Sequence, residues 1–265
     1  MTRVIAVTNQ KGGVGKTTTS VNLAASLAAM KRRVLLVDID PQGNATTGIG
    51  LEKHGQQTSL TDVLLGDAHV SEILRKLPDT SLHVLPGSPE VTVAEVTLMT
   101  KERREYHLRD AIAPIREDYD YILIDCPPSL NMLTVNALVA ADGVLIPMQC
   151  EYYALEGLSA LVDTIERIRQ TANTSLQIMG LVRTMYDPRS NLSRDVSDQI
   201  SEFFKDKVYN TSIPRNIRLA EAPSHGLSAL DYDKTSRGAL SYLALAAEVL
   251  RKDVSKIAAD GERAW

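Results

Sequence analysis

A glycine-rich loop between an apolar run and a helix-forming segment constrains the fold of this 265-residue chain more than any other feature. The apolar run Val4–Thr8 predicts a buried strand, and Lys16–Met30 has the composition of a helix. The loop between them reads Gln-Lys-Gly-Gly-Val-Gly-Lys-Thr-Thr over residues 10–18. A strand, a glycine loop and a helix in this order are typical of backbone sites that bind phosphate.

Each residue type in the loop suits a polyphosphate with Mg²⁺. Glycines adopt backbone dihedrals that other residues avoid, so successive N–H groups can converge on phosphate oxygens. Lys16 is predicted to reach the β- and γ-phosphates, and the Thr17 hydroxyl to bind Mg²⁺. The alternative, a glycine-rich turn without a ligand, is disfavoured by the strand–loop–helix context and the two lysines. The residues predicted to bind ATP are Lys11, Gly12, Gly13, Val14, Gly15, Lys16, Thr17 and Thr18.

The loop departs from the plain G-x-x-x-x-G-K-[ST] pattern at its first position. Gln10 stands where that pattern has glycine, and a second lysine, Lys11, directly precedes the glycine pair. The departure marks a variant of the phosphate loop with two lysines.

Apolar runs of strand length recur along the chain with helix-like segments between them. Because these runs are continuous, we expect strands buried on both faces and joined by right-handed crossovers. This pattern predicts a doubly wound, mainly parallel α/β sheet flanked by helices, with residues 1–265 in a single domain. Further strands are predicted at Arg33–Asp38, Tyr119–Asp125, Gly143–Met148 and Leu176–Val182, and helices at Leu155–Gln170 and Asn191–Phe204.

The stretch Gly43–Arg104 has a less regular pattern. It contains two short helix-like pieces, Leu60–Leu65 and Val70–Leu77, and one strand-like piece, Leu82–Leu85. We interpret it as an insertion on the same sheet.

Three aspartates follow predicted strands. Asp38 and Asp40 end the second strand, and Asp125 ends a later one. Carboxylates at the carboxyl ends of parallel strands lie in the crevice where such sheets bind ligands. Asp125 is the predicted Mg²⁺-binding acid. For Asp38 and Asp40 the alternative is a turn-capping role before Pro41 and Gly43.

Composition narrows the classes of function. The net charge is −4 and the pI is near 5.8, which disfavours a domain that binds nucleic acid constitutively. No stretch approaches the roughly 20 apolar residues of a membrane span. The two cysteines, Cys126 and Cys150, make no disulfide framework, so we expect a cytoplasmic protein. The five scattered histidines lack paired metal-ligand spacing, and no zinc site is predicted.

The loop Lys-Gly-Gly-Val-Gly-Lys-Thr-Thr resembles the deviant Walker A loop of the ParA/MinD group of P-loop ATPases. Over roughly residues 3–250 the chain is similar to the ParA/Soj partitioning ATPases of chromosomes and plasmids. Because the chain begins directly at the first strand, it resembles the short chromosomal type, without the N-terminal DNA-reading domain of some plasmid relatives. The other matching stretches are Asp38–Asn44, Gln149–Leu158, Thr184–Leu192 and Ile213–Gly226.

The resemblance implies roles at the nucleotide. Lys11 reaches across a dimer interface to the partner's ATP, and the Glu151–Gly157 segment lies near that interface. Asp40 orients or deprotonates the attacking water, while Asp38 lies near the metal that Thr17 and Asp125 hold. The side chains that flank the adenine are Met185 and Pro214.

The resemblance also implies partners. They are a homodimer formed with ATP, non-specific double-stranded DNA and a ParB/Spo0J-like centromere-binding protein that stimulates hydrolysis, with a nucleoid-associated location. Arg189 and Arg218 correspond to DNA-holding arginines, and Arg215 is a further candidate. The residues alone show no basic cluster for DNA, because residues 183–237 hold nine Lys/Arg and eight Asp/Glu. The alternative is that these arginines are ordinary solvated surface residues.

Two other members of the wider group are alternatives. A MinD-like membrane-cycling ATPase needs a basic amphipathic tail. Leu250, Val254, Ile257 and Ala258 share a helical face, but acidic residues offset the basic ones, so docking of this helix onto the body is favoured and no membrane partner is expected. A nitrogenase iron-protein type of reductase needs paired cysteines for an iron–sulfur cluster, and neither cysteine lies in a glycine-rich ligand loop.

Overall fold

A single seven-stranded sheet forms the centre of the computed structural model, which describes residues 2–55 and 57–262, with side chains to residue 254. The strands lie in the order β3-β4-β2-β5-β1-β6-β7, and all neighbours are parallel except β3 and β4. This confirms the predicted mainly parallel sheet. The strands are β1 Arg3–Val7, β2 Val34–Asp38, β3 Arg75–Lys76, β4 Leu82–Leu85, β5 Tyr121–Asp125, β6 Gly143–Gln149 and β7 Gln177–Thr184.

Helices cover both faces of the sheet. Successive residues of β1 alternate between two apolar clusters: Val4 and Ala6 belong to one, Ile5 and Val7 to the other. Both faces of β1 are therefore buried, which is why its apolar run is continuous. The helices are α1 Lys16–Ala29, α2 Asn44–Gly48, α3 Leu60–Leu65, α4 Val70–Ile73, α5 Val91–Leu98, α6 His107–Ile112, α7 Met132–Ala140, α8 Ala154–Thr171, α9 Asn191–Phe204, α10 Ile217–Glu221, α11 Ala229–Tyr232 and α12 Arg237–Glu262.

Strand register brings the predicted acidic residues together. In β2 and β5, Asp38 pairs with Asp125, and Val7 at the end of β1 pairs with Asp125 from the other side. Since the phosphate loop follows β1, the loop and both carboxylates meet at one edge of the sheet.

The prediction of a helix over Val70–Leu77 is wrong beyond Ile73. Arg75 and Lys76 form β3, which pairs antiparallel with Val84 and His83 of β4. Backbone pairing to a preformed neighbouring strand outweighs the helix-like apolar spacing of this stretch, a tertiary effect that local sequence does not carry. The interpretation of 43–104 as an insertion on the same sheet agrees with the position of β3 and β4 at its edge.

Candidate nucleotide site

The loop between β1 and α1 has the backbone that a phosphate cradle needs. Gly13 and Gly15 adopt φ of 74° and 85°, in the left-handed region that favours glycine. Gly15 lies directly before Lys16, the first residue of α1, so the loop leads into a helix N-terminus. Below the loop, the Thr184 hydroxyl donates a 2.7 Å hydrogen bond to the carbonyl of Val14. This bond anchors the loop to the end of β7.

Lys16 is the buried cation of the site, with a relative exposure of 7%. Its Nζ donates to the backbone carbonyl of Lys11 at 3.2 Å, so the ammonium lies inside the curve of the loop. Burial lowers the pKa of Lys16 from its usual value, and the nearby carboxylates of Asp125 and Asp40 partly offset that shift.

Asp125 fits a Mg²⁺-binding role. It is fully buried, and burial, followed by the charge of Asp38, raises the pKa of Asp125 to about 8. One carboxylate oxygen accepts a 2.8 Å hydrogen bond from the Ser20 hydroxyl, while the other has no hydrogen-bond partner in the described part of the chain. A buried carboxylate oxygen with a free lone pair suits a cation. Thr17, one turn earlier on α1 than Ser20, would supply the hydroxyl ligand.

Asp38 and Asp40 hold the segment that follows β2. The Asp38 carboxylate accepts hydrogen bonds from the N–H and hydroxyl of Thr46, at 2.8 and 2.7 Å, and from the N–H of Asp40 at 3.3 Å. Burial raises the pKa of Asp38 to about 6, against the opposing effect of these bonds. Asp40 accepts a 2.9 Å bond from the N–H of Gln42. The metal role of Asp38 and the water role of Asp40 remain predictions, and the turn-capping contacts are present as well.

Lys11 does not point into its own loop. Its Nζ forms a 2.6 Å ion pair with Glu151, and both side chains are exposed, by 37% and 50%. The Asn9 side chain fixes the base of this arrangement, because it accepts from the N–H of Lys11 at 3.0 Å and donates to the carbonyl of Pro147 at 2.9 Å. Lys11 therefore lies at the mouth of the site, where its partner is an exposed carboxylate that another anion can replace.

The two predicted adenine-flanking residues lie on adjacent segments. Tyr186, which follows Met185, forms a parallel bridge with Pro214. Met185 has a φ of 48°, and its sulfur accepts a 3.0 Å hydrogen bond from the Gln149 side chain. Because Thr184 also anchors the phosphate loop, this pair lies beside the nucleotide site; the contact with adenine stays a prediction.

The three predicted DNA-contact arginines are all exposed but differ in their partners. Two hydrogen bonds from the Arg189 side chain and one from its backbone N–H, each of 3.0 Å, reach Asp187 and lower the pKa of Asp187 to about 2. Arg218 pairs with Glu221 at 2.7 Å and with Asp233 at 3.4 Å. Arg215 has no hydrogen bond or ion pair within the described ranges. Exposed pairs of this kind contribute only about 0–1 kcal/mol, so phosphate could replace the carboxylates.

Sequence analysis missed four polar side chains that hold the site in place. Asn9, Ser20, Thr46 and Thr184 are buried and bond, in turn, Lys11, Asp125, Asp38 and Val14. Ser20 carried a signal, because it follows Lys16 by four residues and so shares its helical face. Thr184 carried none, since its partner is 170 residues away, and the eight-residue spacing of Thr46 from Asp38 runs from a strand into a helix and so follows no single helix or strand period.

Both cysteines, Cys126 and Cys150, are buried. Burial raises the pKa of Cys126 well above its usual range and that of Cys150 to about 11. An iron–sulfur cluster shared between two subunits needs cysteines at the surface, whereas Cys126 is fully buried and Cys150 is 5% exposed.

We therefore expect both thiols to react slowly in the native protein. The raised pKa keeps Cys150 in its unreactive thiol form at pH 8, and burial blocks access in addition. Titration with a chromogenic disulfide should give no rapid equivalent from native protein and two after unfolding in guanidinium, the two cysteines of the sequence. A rapid equivalent from the native protein would contradict the burial of these thiols.

Comparison with known proteins shows the family to which this chain belongs. The AAA domain family matches residues 2–178. The sporulation initiation inhibitor protein Soj of Bacillus subtilis (strain 168) is 53% identical over 249 residues, 94% of this chain and 98% of that protein. This chain belongs to the Soj/ParA family of P-loop ATPases. The chromosome partitioning protein ParA of Myxococcus xanthus (strain DK1622) is 50% identical over 254 residues, 96% of this chain and 90% of that protein.

A solved structure with bound nucleotide has the same fold. Cobyrinic acid a,c-diamide synthase from Mycobacterium smegmatis, with bound ATP analogue and magnesium, is 38% identical, has a TM-score of 0.84 and shares 97% of each chain. As a Soj/ParA-family protein with the loop, buried lysine and acidic cluster described above, the chain is an ATPase that uses ATP and Mg²⁺.

The contacts of α12 bear on the membrane alternative. Leu250 is partly buried against the apolar cluster around α1, whereas Val254 is 66% exposed. Of the other residues on the predicted face, the side chains of Ile257 and Ala258 lie outside the described ones. Among the residues that the structure describes, no helix combines the length and hydropathy needed to cross a bilayer.

Proposed function

We propose that the chain is a DNA-partitioning ATPase that dimerises with ATP, binds DNA non-specifically as a dimer and leaves it after hydrolysis. The observation that carries the proposal is the position of Lys11, which lies at the mouth of the phosphate loop and contacts Glu151, not its own loop. In this proposal Lys11 contacts the nucleotide of a second copy.

Electrostatics supports nucleotide as the link between two copies. Each copy would bring Lys11, Lys16 and a helix N-terminus to the shared face, and these positive groups repel one another. Two ATP molecules with Mg²⁺ between them offset this repulsion, so the dimer should depend on the triphosphate. Glu151, which neutralises Lys11 in the single chain, then has to release it.

Replacing Lys11 with alanine is expected to leave ATP binding intact and to prevent the ATP-dependent dimer. Light scattering coupled to size exclusion, with a slowly hydrolysed ATP analogue, should give a dimer for the wild type and a monomer for Lys11→Ala. Lys101→Ala, an exposed lysine on a loop outside the site, is the matched control. A normal Lys11→Ala dimer would remove the role in trans.

DNA binding by the dimer reconciles the acidic pI with a DNA partner. A dimer presents two sets of Arg189, Arg215 and Arg218 to one duplex, and each phosphate contact adds about 0.9 to the slope of log affinity against log salt. Arg215 has no competing carboxylate within the described ranges. We therefore expect Arg215→Ala to weaken the affinity of the dimer for DNA as much as Arg189→Ala or Arg218→Ala does.

The deciding experiment measures binding to a random-sequence duplex with ADP, with ATP and with a non-hydrolysable ATP analogue across a salt series. Binding in the triphosphate states alone, with a steep salt dependence, is the expected result. Arg189→Ala, Arg215→Ala and Arg218→Ala should each flatten the salt slope, whereas Arg167→Ala, an exposed arginine on α8, should not. An ATP-bound dimer without DNA affinity would overturn the partitioning proposal but not the ATPase.

The remaining parts of the proposal concern the cell. A ParB-like centromere-binding protein would stimulate hydrolysis and so release the dimer from DNA, with the protein in the cytoplasm and on the nucleoid. The names of the Soj and ParA relatives support this partner and setting. Addition of a purified ParB-like protein together with DNA should raise the rate of phosphate release, and an unchanged rate would exclude that partner.

A further inference from the structure

Thr46 is a buried polar side chain that joins three separate segments near the nucleotide site. Its relative exposure is 0%, and it lies in α2, eight residues after Asp38. Its hydroxyl donates to Asp38 at 2.7 Å and accepts from the N–H of Gly87 at 2.8 Å. One hydroxyl therefore connects the end of β2, helix α2 and the loop that follows β4.

The hydroxyl bonds have a fixed direction. The N–H of Gly87 can only donate, so the Thr46 oxygen accepts there and directs its own hydrogen to Asp38. The backbone N–H of Thr46 donates to the same Asp38 oxygen at 2.8 Å. That oxygen is thus fully engaged by Thr46, and a rotation of the Asp38 side chain would break both bonds.

The second oxygen of Asp38 faces Asp40. It accepts the backbone N–H of Asp40 at 3.3 Å, and this N–H belongs to the residue predicted to handle the attacking water. The carboxylate of Asp40 is itself held by Gln42 at 2.9 Å. The orientation of Asp38 therefore determines where the backbone of Asp40 lies, and Thr46 fixes that orientation.

Close packing leaves this linkage little room to move. A Cβ on Gly87 would lie 2.5 Å from the Asp38 carbonyl oxygen and 2.8 Å from its carboxyl carbon. The backbone of Gly87 therefore lies directly on Asp38, which keeps its N–H in reach of the Thr46 oxygen.

We propose that Thr46 is a positioning residue for ATP hydrolysis, which acts through Asp38 to place Asp40 against the water. The inference rests on the hydrolytic role proposed for Asp40 and is independent of DNA binding. Thr46 itself does not contact nucleotide in this proposal, so its loss should slow the chemical step and spare ATP affinity.

The test compares Thr46→Val with Thr46→Ser in steady-state hydrolysis. Valine keeps the shape but removes the hydroxyl, and we expect kcat to fall about 10- to 100-fold, since misplacement by about 1 Å can cost 100-fold. KM for ATP and ATP-dependent dimerisation should stay near wild type. Serine restores the hydroxyl and should recover kcat to within about threefold, which a role in packing alone would not predict.

Thr47→Val is the matched control, because Thr47 directly follows Thr46 in α2 and, among the described residues, its hydroxyl bonds only the backbone carbonyls of Gly43 and Asn44. It should hydrolyse ATP at the wild-type rate. If Thr46→Val does not fold, Thr46→Cys, with a weaker donor of similar size, should give an intermediate kcat.

The possible results distinguish the positioning role of Thr46 from the hydrolytic role of Asp40. Wild-type kcat in Thr46→Val beside a slow Asp40→Asn would overturn the positioning role alone. Wild-type kcat in Asp40→Asn would overturn the role of Asp40, and with it this inference. A Thr46→Val defect that lies in KM, or that serine does not recover, would also overturn it.

Discussion

Replacing Lys16 with glutamine is expected to reduce ATP hydrolysis by about 10²- to 10³-fold, the usual loss when one preorganised charge at a reacting centre is removed. Lys16 is the buried ammonium in the curve of the phosphate loop, 3.2 Å from the carbonyl of Lys11. Glutamine is one atom shorter and carries no positive charge, so negative charge that develops on the γ-phosphate would lose the Lys16 ammonium. Phosphate release by purified protein with Mg²⁺ and saturating ATP is the measurement.

The same substitution separates chemistry from folding. Asp125 and Asp40 lose a nearby positive charge in Lys16→Gln, but the hydrogen bonds of Ser20 to Asp125 and of Gln42 to Asp40 remain. We therefore expect a folded protein with near-native circular dichroism. Lys101→Gln, at an exposed lysine in the segment between α5 and α6, controls for charge removal as such. Hydrolysis at the wild-type rate in Lys16→Gln would place the catalytic cation elsewhere.

Replacing Gly180 with alanine is expected to lower the free energy of unfolding by about 1–3 kcal/mol, the usual cost of overpacking. Gly180 lies in β7 beneath the ring of Tyr209, and a Cβ there would lie 2.4 Å from that ring and 2.8 Å from the carbonyl oxygen of Lys207. Tyr209 is fully buried, and Lys207 opposes the new atom with backbone, so neither can yield without a shift of the chain.

Thermal unfolding followed by circular dichroism measures this cost, with a lower Tm expected by about 2–4 °C per kcal/mol. Gly157→Ala is the matched control, because nothing lies within 4 Å of its added Cβ in α8. Alanine in an open helical position should stabilise by about 0.5–1 kcal/mol. The two substitutions should thus have opposite signs, and equal shifts would contradict the packing around Gly180.

Sequence predicted the parts of the fold that local patterns determine. Helix α9 and strand β4 have the predicted bounds, and the central strands agree within about two residues, because their apolar runs are fully buried. The stretch Arg75–Lys76 could not be predicted, since its strand depends on pairing with β4. A strand of two residues is too short to be distinguished from the last residues of a helix by its sequence pattern.

The residues of the candidate site likewise fall into those that local sequence predicts and those that it does not. The phosphate loop and the three aspartates were found because glycine spacing and strand ends are local signals. The ion pair of Lys11 with Glu151 joins residues 140 positions apart, and Thr184 reaches Val14 from 170 positions away. No spacing pattern in the sequence indicates either contact, so these two contacts are seen only in the folded structure.

The shortness of β3 has a consequence for self-assembly. This edge strand contributes two basic residues, Arg75 and Lys76, and Lys76 is exposed. Very short, positively charged edges resist the addition of a strand from a neighbouring molecule, which is a common route to aggregation. The β3 edge of this ATPase is therefore protected against polymer growth by extension of the sheet on that side.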